Sequence, residues 1–537
     1  MPQSKQSIAP HIQDVLDIFR ERHNEESIEG AKDEPKVTVN ETVSKMAYVY
    51  EKVRQAIDYQ EEHLIRKNAI TRMLKRRIFS QERTAQVAAP LIRELIRAGY
   101  LPNAYFPERR LPDIESIIIK YTYLLDALNR QTADQKKRKR TINWVISVMA
   151  FEIEEYLKPS IRDDALVELM YKTLRGQVDL SRDIFNPEDQ DIQVYIAIHR
   201  ALIKSDSAML RYHLLYYYAP QWRFMTPDET SDFATQIPAY VERIEQQINH
   251  RVGDRLFNYA KKFAPIFTIL KDVIQSHPDR AEAILGDPTQ LGQAVTQACN
   301  TRYAAASAKL SRGVIRSIIY IFLTKTIMAF VFELPYELLV LKHVKILPLA
   351  INVVFHPTLM FLIATSMRVP ADRNTQKIYQ GIYEVVYDPE EKEITKKKQQ
   401  TMRASGFLNG LFNVLYGLAY VVTFGLIIWL LNALEFSIVS GFLFLFFLSV
   451  ISFFGLRLRQ TAKELVIVDR REGFFNIIFD FFALPILRAG RWIARRTSKV
   501  NVFMFIMDFI IEAPFKILVE TIEDWVSFQQ QKKEETI

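Results

Sequence analysis

The chain has 537 residues, which is enough for two or three domains, and a formal net charge of +8. Its single cysteine, Cys299, excludes an internal disulfide, and its 16 glycines disfavour the glycine-rich loops that bind phosphates. The first ten residues, MPQSKQSIAP, contain no apolar stretch, so we expect no cleavable signal peptide.

The N-terminal half predicts an all-α domain. Residues 1–40 are polar and acidic, and we expect a flexible segment that includes a short helix over 11–23. Between residues 41 and 312 apolar residues recur at spacings of three and four, which is typical of helices. A long helix is predicted from Thr42 to Phe79, and a later one is expected to end at Gly99, a favourable C-cap.

The end of the long predicted helix is basic: Arg66, Lys67, Arg72, Lys75, Arg76 and Arg77. Nucleic-acid binding is not expected, because no interleaved aromatic residues and no known nucleic-acid motif accompany these cations. We interpret them as a solvated or lipid-facing helix surface.

Residues 313–456 form an apolar region that the rest of the chain flanks. It contains four runs long enough to cross a bilayer: 314–334, 346–366, 407–431 and 437–455. Because backbone groups inside lipid must bond to one another, each run predicts a helix. A buried apolar core of a soluble protein is the alternative, but such cores rarely use two charge-free runs joined by five residues.

The charges that flank these runs predict an orientation. The segment 367–404 and the residues after 456 are rich in Lys and Arg, whereas the connections 335–345 and 432–436 contain few cations. Because Lys and Arg remain on the cytoplasmic side, we expect a multi-pass protein of the cell membrane with both termini in the cytoplasm.

The loop 367–404 has a different composition from its surroundings. Residues 376–398 contain many β-branched and aromatic side chains around a turn signal at Asp388-Pro389, and they predict a small cytoplasmic β-hairpin. The predicted fold class is therefore all-α with this one hairpin.

The C-terminal region, 457–537, predicts amphipathic helices on the membrane surface and a polar tail. An apolar segment, 474–487, interrupted by Asp480 and Pro485, is followed by a tryptophan and several cations without an acid. This pattern is typical of helices in the headgroup region, so anionic lipid headgroups and the bilayer are expected partners. The candidate contacts are Arg488, Arg491, Trp492, Arg495, Arg496 and Lys499.

Several ionisable residues lie inside apolar segments, where they are costly and often functional. Lys325 and Glu333 lie on the first run, and His356 lies beside Pro357 on the second. Residues 327–340 can be aligned with 506–519, with seven of fourteen positions identical, so that Glu333 corresponds to Glu512. Duplicated broken helices occur at transporter sites. The candidate intramembrane polar site is therefore Lys325, Glu333, His356, Asp508 and Glu512. The alternative is two similar apolar segments whose charges are structural.

Motifs for enzymatic chemistry are missing. The sequence contains no P-loop, no dinucleotide fingerprint, no His-Glu-x-x-His and no Gly-x-Ser-x-Gly. No two of the nine histidines have metal-ligand spacing on one helix, and Glu152, Glu154 and Glu155 resemble a solvated helix face. We therefore expect no enzyme, no cofactor, no metal site and no catalytic residue.

These observations predict a multipass integral membrane protein of binding or structural type, with a helical cytoplasmic domain at the inner face. A protein partner or self-association is expected. The first alternative is an oligomeric transporter or channel that uses the intramembrane charges. A membrane enzyme of unknown chemistry is the second alternative.

Overall fold

The computed structural model describes most of the chain. The described residues are 7–31, 34–40, 48, 51, 62–79, 87–131, 134–178, 186–365, 372–387, 406–462, 466–467 and 474–499. Within these ranges the chain is predominantly helical and contains no strand, apart from one isolated bridge between Lys36 and Pro107. The all-α part of the predicted fold class is thus confirmed.

The described residues divide into two compact units. Residues 8–282 belong to the first, called here the N-terminal unit, and residues 283–499 belong to the second, the C-terminal unit. Each unit has its own packing and is described by itself.

The described part of the N-terminal unit is built from packed helices. Its α-helices are α1 (Pro10–Ala31), α2 (Glu62–Phe79), α3 (Ala88–Arg97), α4 (Leu111–Gln131), α5 (Gln135–Leu157), α6 (Ile161–Arg175), α7 (Pro187–Ile198), α8 (Ser207–Tyr218), α9 (Pro227–Phe233), α10 (Ile237–Ile248), α11 (Gly253–Ala260) and α12 (Ala264–Ser276), and the short helix α13 (Ala281–Leu285) spans the boundary between the two units. A π-helical turn, His199–Ile203, follows α7 directly.

Local sequence sets many of these boundaries. The side chains of Asp134, Asn186, Asp206 and Thr226 accept hydrogen bonds from backbone N–H groups in the first turns of α5, α7, α8 and α9. Gly99 follows α3 with φ +75°, as predicted for a C-cap. The apolar faces of α2 to α5 and of α8 to α10 then share one buried core that includes Ile92, Leu95 and Trp222.

The C-terminal unit begins with an unusually long helix. Asp287 caps α14, which runs from Pro288 to Met328. The helical path continues through a π-turn (Ala329–Glu333), one α-turn (Leu334–Tyr336) and a second π-turn (Glu337–Leu341). The first apolar run is thus the later part of a longer helix that begins at Pro288.

Three further apolar helices follow: α15 (Ile346–Thr365), α17 (Gly406–Ala433) and α18 (Ile438–Ala462). Together with Pro288–Leu341 they are the four described helices that are long and apolar enough to cross a membrane. The four predicted runs are therefore confirmed as helices of this kind.

The predicted β-hairpin is wrong over its first part, because residues 372–387 form a helix, α16 (Asp372–Tyr387). Ile378, Ile382, Val385 and Val386 are buried at helical spacing. The helix packs on the start of α14, where Gly292 accommodates the ring of Tyr379 and Asn374 bonds to Tyr303. Packing on α14 overrides the β-propensity of this segment. Residues 388–398 of the predicted hairpin lie outside the described residues.

The last described helix, α19 (Phe474–Lys499), continues through Pro485, where the sequence predicted an interruption. It packs along α18 and also contacts α17. A Cβ on Gly490 would lie 1.9 Å from the Ser449 carbonyl oxygen, so only glycine permits this approach of α19 to α18. The predicted amphipathic segment 502–519 lies outside the described residues.

Candidate functional site

The apolar helices of the C-terminal unit expose apolar side chains and bury polar ones. Leu339 and Ile438 are 79% and 84% exposed, whereas Lys325, Glu333 and Asn352 are 0% exposed. Because exposure is zero, no water-sized space borders these three polar side chains. A polar cluster of this kind, inside helices with an apolar exterior, is the candidate functional site.

An asparagine connects the two charges of the cluster. The Lys325 Nζ donates to Asn352 Oδ1 at 2.5 Å, and Asn352 Nδ2 donates to Glu333 Oε1 at 2.6 Å. The carboxamide offers an acceptor to the ammonium and a donor to the carboxylate, so one side chain satisfies both. The Lys325 Nζ also lies 4.4 Å from the centre of the Phe447 ring.

The helix geometry places Glu333 within reach of this bridge. Eight residues of regular α-helix would rotate Glu333 about 80° away from Lys325. The intervening π-turn, Ala329–Glu333, has more residues per turn and reduces that rotation. Pro335 follows directly and lacks the N–H that a regular helix would use, which favours an irregular turn here.

The fourth apolar helix completes the cluster. Ser440 Oγ donates to Glu333 Oε2 at 3.2 Å, and the Ser440 carbonyl oxygen accepts from Asn352 Nδ2 at 3.2 Å. Buried His356 has Nδ1 3.1 Å from the Asn352 carbonyl oxygen and Nε2 3.1 Å from that of Phe444. A neutral imidazole has one N–H and can donate to only one of these carbonyls.

The two short connections of the C-terminal unit meet at one end of the helices. Lys345 Nζ lies 3.0 Å from Glu435 Oε2, and the backbone N–H of Lys345 donates to Glu337 Oε2 at 3.0 Å. The ion pair is partly exposed and contributes little stability. The ion pair shows that the connection after Leu341 lies beside the connection after Ala433.

The sequence named only part of this cluster. The structure brings Lys325, Glu333 and His356 together, whereas Asp508 and Glu512 lie outside the described residues. The candidate set from the sequence did not include Asn352 or Ser440. Each is an uncharged polar residue in an apolar run, and such residues commonly hydrogen-bond across membrane helices.

The candidate lipid contacts lie on α19. Arg488, Arg491 and Trp492 are exposed, and the Arg488 guanidinium lies 4.3 Å from the centre of the Tyr416 ring of α17. Arg495, Arg496 and Lys499 belong to the same helix, but their side chains lie outside the described part of the chain.

In the N-terminal unit, the prediction of a solvated glutamate face is wrong for two of its residues. Glu152 is buried and accepts from Lys120 Nζ at 2.7 Å and from the Tyr121 hydroxyl at 2.6 Å. Glu154 is buried and accepts two hydrogen bonds from the Arg66 guanidinium, both at 2.7 Å. These charges are buried as paired groups, the form in which an interior tolerates them.

Three possible metal ligands converge in the N-terminal unit. Asp164, His199 and His213 each have a ligand atom within 4.8 Å of the ligand atoms of the other two. The sequence expectation of no metal site considered spacing within single helices, whereas these residues come from α6, from the π-turn after α7 and from α8. No local pattern marks such a set.

No model of a known protein family matches the chain, and neither a curated protein nor a solved structure matches it. Functional inference therefore rests on the geometry of these sites.

Proposed function

We propose that the chain is a multipass integral membrane protein of binding or structural type, whose N-terminal unit is presented at the cytoplasmic face. The observation that supports membrane insertion is the reversed distribution of side chains in the C-terminal unit. Apolar side chains such as Leu339 and Ile438 are exposed, while Lys325 and Glu333 are completely buried. In water this distribution is unfavourable, whereas in lipid it is the stable one.

The proposed topology has four crossings and both termini inside. The Lys345–Glu435 pair supports it, because the two cation-poor connections are neighbours at the same end of the helices. The cation-rich segments, 367–404 and the residues after Leu456, then share the opposite end, which is the cytoplasmic one by the distribution of Lys and Arg.

Cysteine labelling tests this topology. In a Cys299→Ala background, an impermeant maleimide should label Asn432→Cys in intact cells and Lys377→Cys only after permeabilisation. Both positions are exposed and avoid the polar cluster. Labelling of Lys377→Cys from outside, or failure to label Asn432→Cys without permeabilisation, would contradict the proposed orientation.

The structural role of the polar cluster is supported by the hydrogen bonds among its members. Lys325, Asn352, Glu333 and Ser440 bond to one another, and water reaches none of them. Such a cluster fixes the register of three helices, because a slip of one helix would leave a charge unpaired in a medium of low dielectric constant.

An oligomeric transporter is the alternative function, and a flux assay separates the two. Lys325→Met and Glu333→Gln should each lower thermal stability in detergent if the cluster is structural. If both variants retain wild-type stability but abolish an ion or proton flux in liposomes, the cluster is a transport path and the structural proposal fails.

We further propose that the C-terminal half of α19 contacts anionic headgroups. Arg488 and Arg491 are exposed, and this half of α19 lies near the Tyr416 end of α17 and the Phe453 end of α18. Each cation near an anionic surface contributes about 1 kcal/mol. Arg488→Gln/Arg491→Gln should reduce the retention of phosphatidylserine by the detergent-purified chain, and added salt should reduce it too. Arg20→Gln, at an exposed site of the N-terminal unit, is the control.

A further inference from the structure

Three neighbouring side chains of the N-terminal unit each have a buried polar atom without a partner among the described residues. Asp164 Oδ1, His199 Nε2 and His213 Nε2 are buried, and none has a hydrogen-bond partner among the described residues. A buried polar atom without a partner is destabilising, because it has lost its hydrogen bonds to water. Each of the three residues also offers a ligand atom within 4.8 Å of those of the other two, which indicates a shared occupant.

The chemistry of the three atoms identifies the occupant. Two imidazole nitrogens and one carboxylate oxygen form the ligand set of catalytic zinc sites and of the facial triad of non-haem iron. Metal–ligand distances of about 2.0–2.2 Å would separate adjacent ligand atoms by roughly 3.3–3.5 Å. The ligand atoms of the three residues are up to 4.8 Å apart, so binding of an ion requires their side chains to rotate toward one another.

The surroundings prepare the ligands for a cation. His199 Nδ1 lies 3.2 Å from Ser205 Oγ, and an Nδ1–H that donates to this hydroxyl leaves the lone pair on Nε2. The second carboxylate oxygen of Asp164, Oδ2, accepts from Ser160 Oγ at 3.0 Å. The Ser160 backbone N–H donates to Glu155 Oε1 at 2.7 Å, and the Ser160 hydroxyl lies 3.0 Å from that same oxygen, so its single proton serves one of the two carboxylates at a time.

The site also borders an open cleft. Asp164 and His213 line a cleft of about 520 Å³, together with His11, Asp14, Lys172 and Tyr195. His199 lies behind them and is completely buried. An ion held by the three ligands would therefore keep a coordination position directed toward this space, as catalytic metal sites do.

We propose that Asp164, His199 and His213 bind a divalent first-row transition metal ion, such as Zn²⁺, with an open coordination position that faces the cleft. This site is independent of the proposed membrane topology, because all three ligands belong to the N-terminal unit.

Metal titration of the full chain tests the proposal. The protein is purified in detergent without a polyhistidine tag, stripped with a chelator and titrated with Zn²⁺ by calorimetry. One equivalent should bind and raise the temperature of unfolding. Loading with Co²⁺ should produce a visible absorption band, which reports directly on the imidazole and carboxylate ligands.

Ligand variants assign the site. Asp164→Asn and His213→Gln should each weaken Zn²⁺ binding at least about 100-fold, and Ser205→Ala about 10-fold, the scale of second-shell effects. His277→Gln, at an exposed histidine elsewhere in the unit, is the control and should bind one equivalent. Circular dichroism in chelator establishes that each variant is folded, and Ser205→Ala serves as the test if the ligand variants are not.

Two results would overturn the proposal. If the wild-type chain binds neither Zn²⁺ nor Co²⁺ stoichiometrically, the three residues do not form a metal site, and an ordered water would satisfy their polar atoms instead. Equal binding by wild type, Asp164→Asn and His213→Gln would place the metal elsewhere.

Discussion

The two units of this protein differ in where their large apolar side chains lie. The N-terminal unit has an apolar core with Ile92 and Leu95 at 0% exposure. The apolar helices of the C-terminal unit instead expose large apolar side chains and enclose Lys325, Asn352 and Glu333. Both units are helical, so helix content does not distinguish them. Their exposed surfaces do, because an apolar surface is stable in lipid and unfavourable in water.

The two units also treat buried charge differently. In the N-terminal unit Arg66 and Glu154 pair directly and bidentately, whereas in the C-terminal unit Asn352 separates Lys325 from Glu333. A bidentate pair has strict geometry and strong mutual attraction. A bridge through an amide allows the two charges to reside on one helix with the bridging group on another.

The largest expected effect is the loss of a direct buried pair. Arg66→Leu should destabilise the N-terminal unit by about 3–5 kcal/mol, because it leaves the Glu154 carboxylate buried without its cation. Urea unfolding of the full chain in detergent, with hydrogen exchange of α2 and α5, measures the loss. Arg66→Leu/Glu154→Leu should recover much of it; no recovery would mean that the pair is not the stabilising unit.

The second prediction compares the loss of stability when a buried and an exposed apolar side chain are truncated. Leu95→Ala should cost about 2–5 kcal/mol, since it leaves a cavity in the core of the N-terminal unit. Leu339→Ala, at a position 79% exposed, should change stability in detergent by no more than about 0.5 kcal/mol. Thermal unfolding in one detergent compares the two. Equal losses would break the distinction between the units.

The third prediction concerns the bridged charges. Lys325→Met should destabilise the C-terminal unit by about 2–3 kcal/mol, because Glu333 then keeps its charge without a cation nearby. Adding Glu333→Gln should restore stability, since the Gln amide can still bond to Asn352 and Ser440. Thermal unfolding of the single and double variants gives the coupling energy. Strict additivity of the two changes would contradict the bridge.

The smallest expected effect tests close helix packing. Gly490→Ala should cost about 1–3 kcal/mol, because the new Cβ would overlap the Ser449 carbonyl oxygen and force α19 away from α18. Gly417→Ala is the matched control, since no atom lies within 4 Å of a Cβ there, and it should be neutral or slightly stabilising. Crosslinking between α18 and α19 provides a second measurement. A loss of equal size at both glycines would show that the close approach of α19 to α18 does not explain the result.

Sequence reasoning succeeded where the deciding information is local. The apolar runs predicted all four candidate membrane helices, and Gly99 marked the end of α3, because run length and backbone conformation depend on neighbouring residues. It was wrong at 377–387, where β-branched residues suggested a strand. The packing of α16 on α14, more than seventy residues earlier in the chain at Tyr303 and Asn374, decides that segment.

By itself the sequence determined the helical class, the four apolar runs and the presence of charge within them. Only the tertiary structure decided which groups meet: Asn352 between Lys325 and Glu333, Arg66 with Glu154, and Asp164 with the two histidines. The physical reason is the distance along the chain over which each kind of interaction acts. Hydrophobic periodicity acts within a helix, whereas a hydrogen bond or a ligand set requires side chains from different helices at specific distances, which chain order does not encode locally.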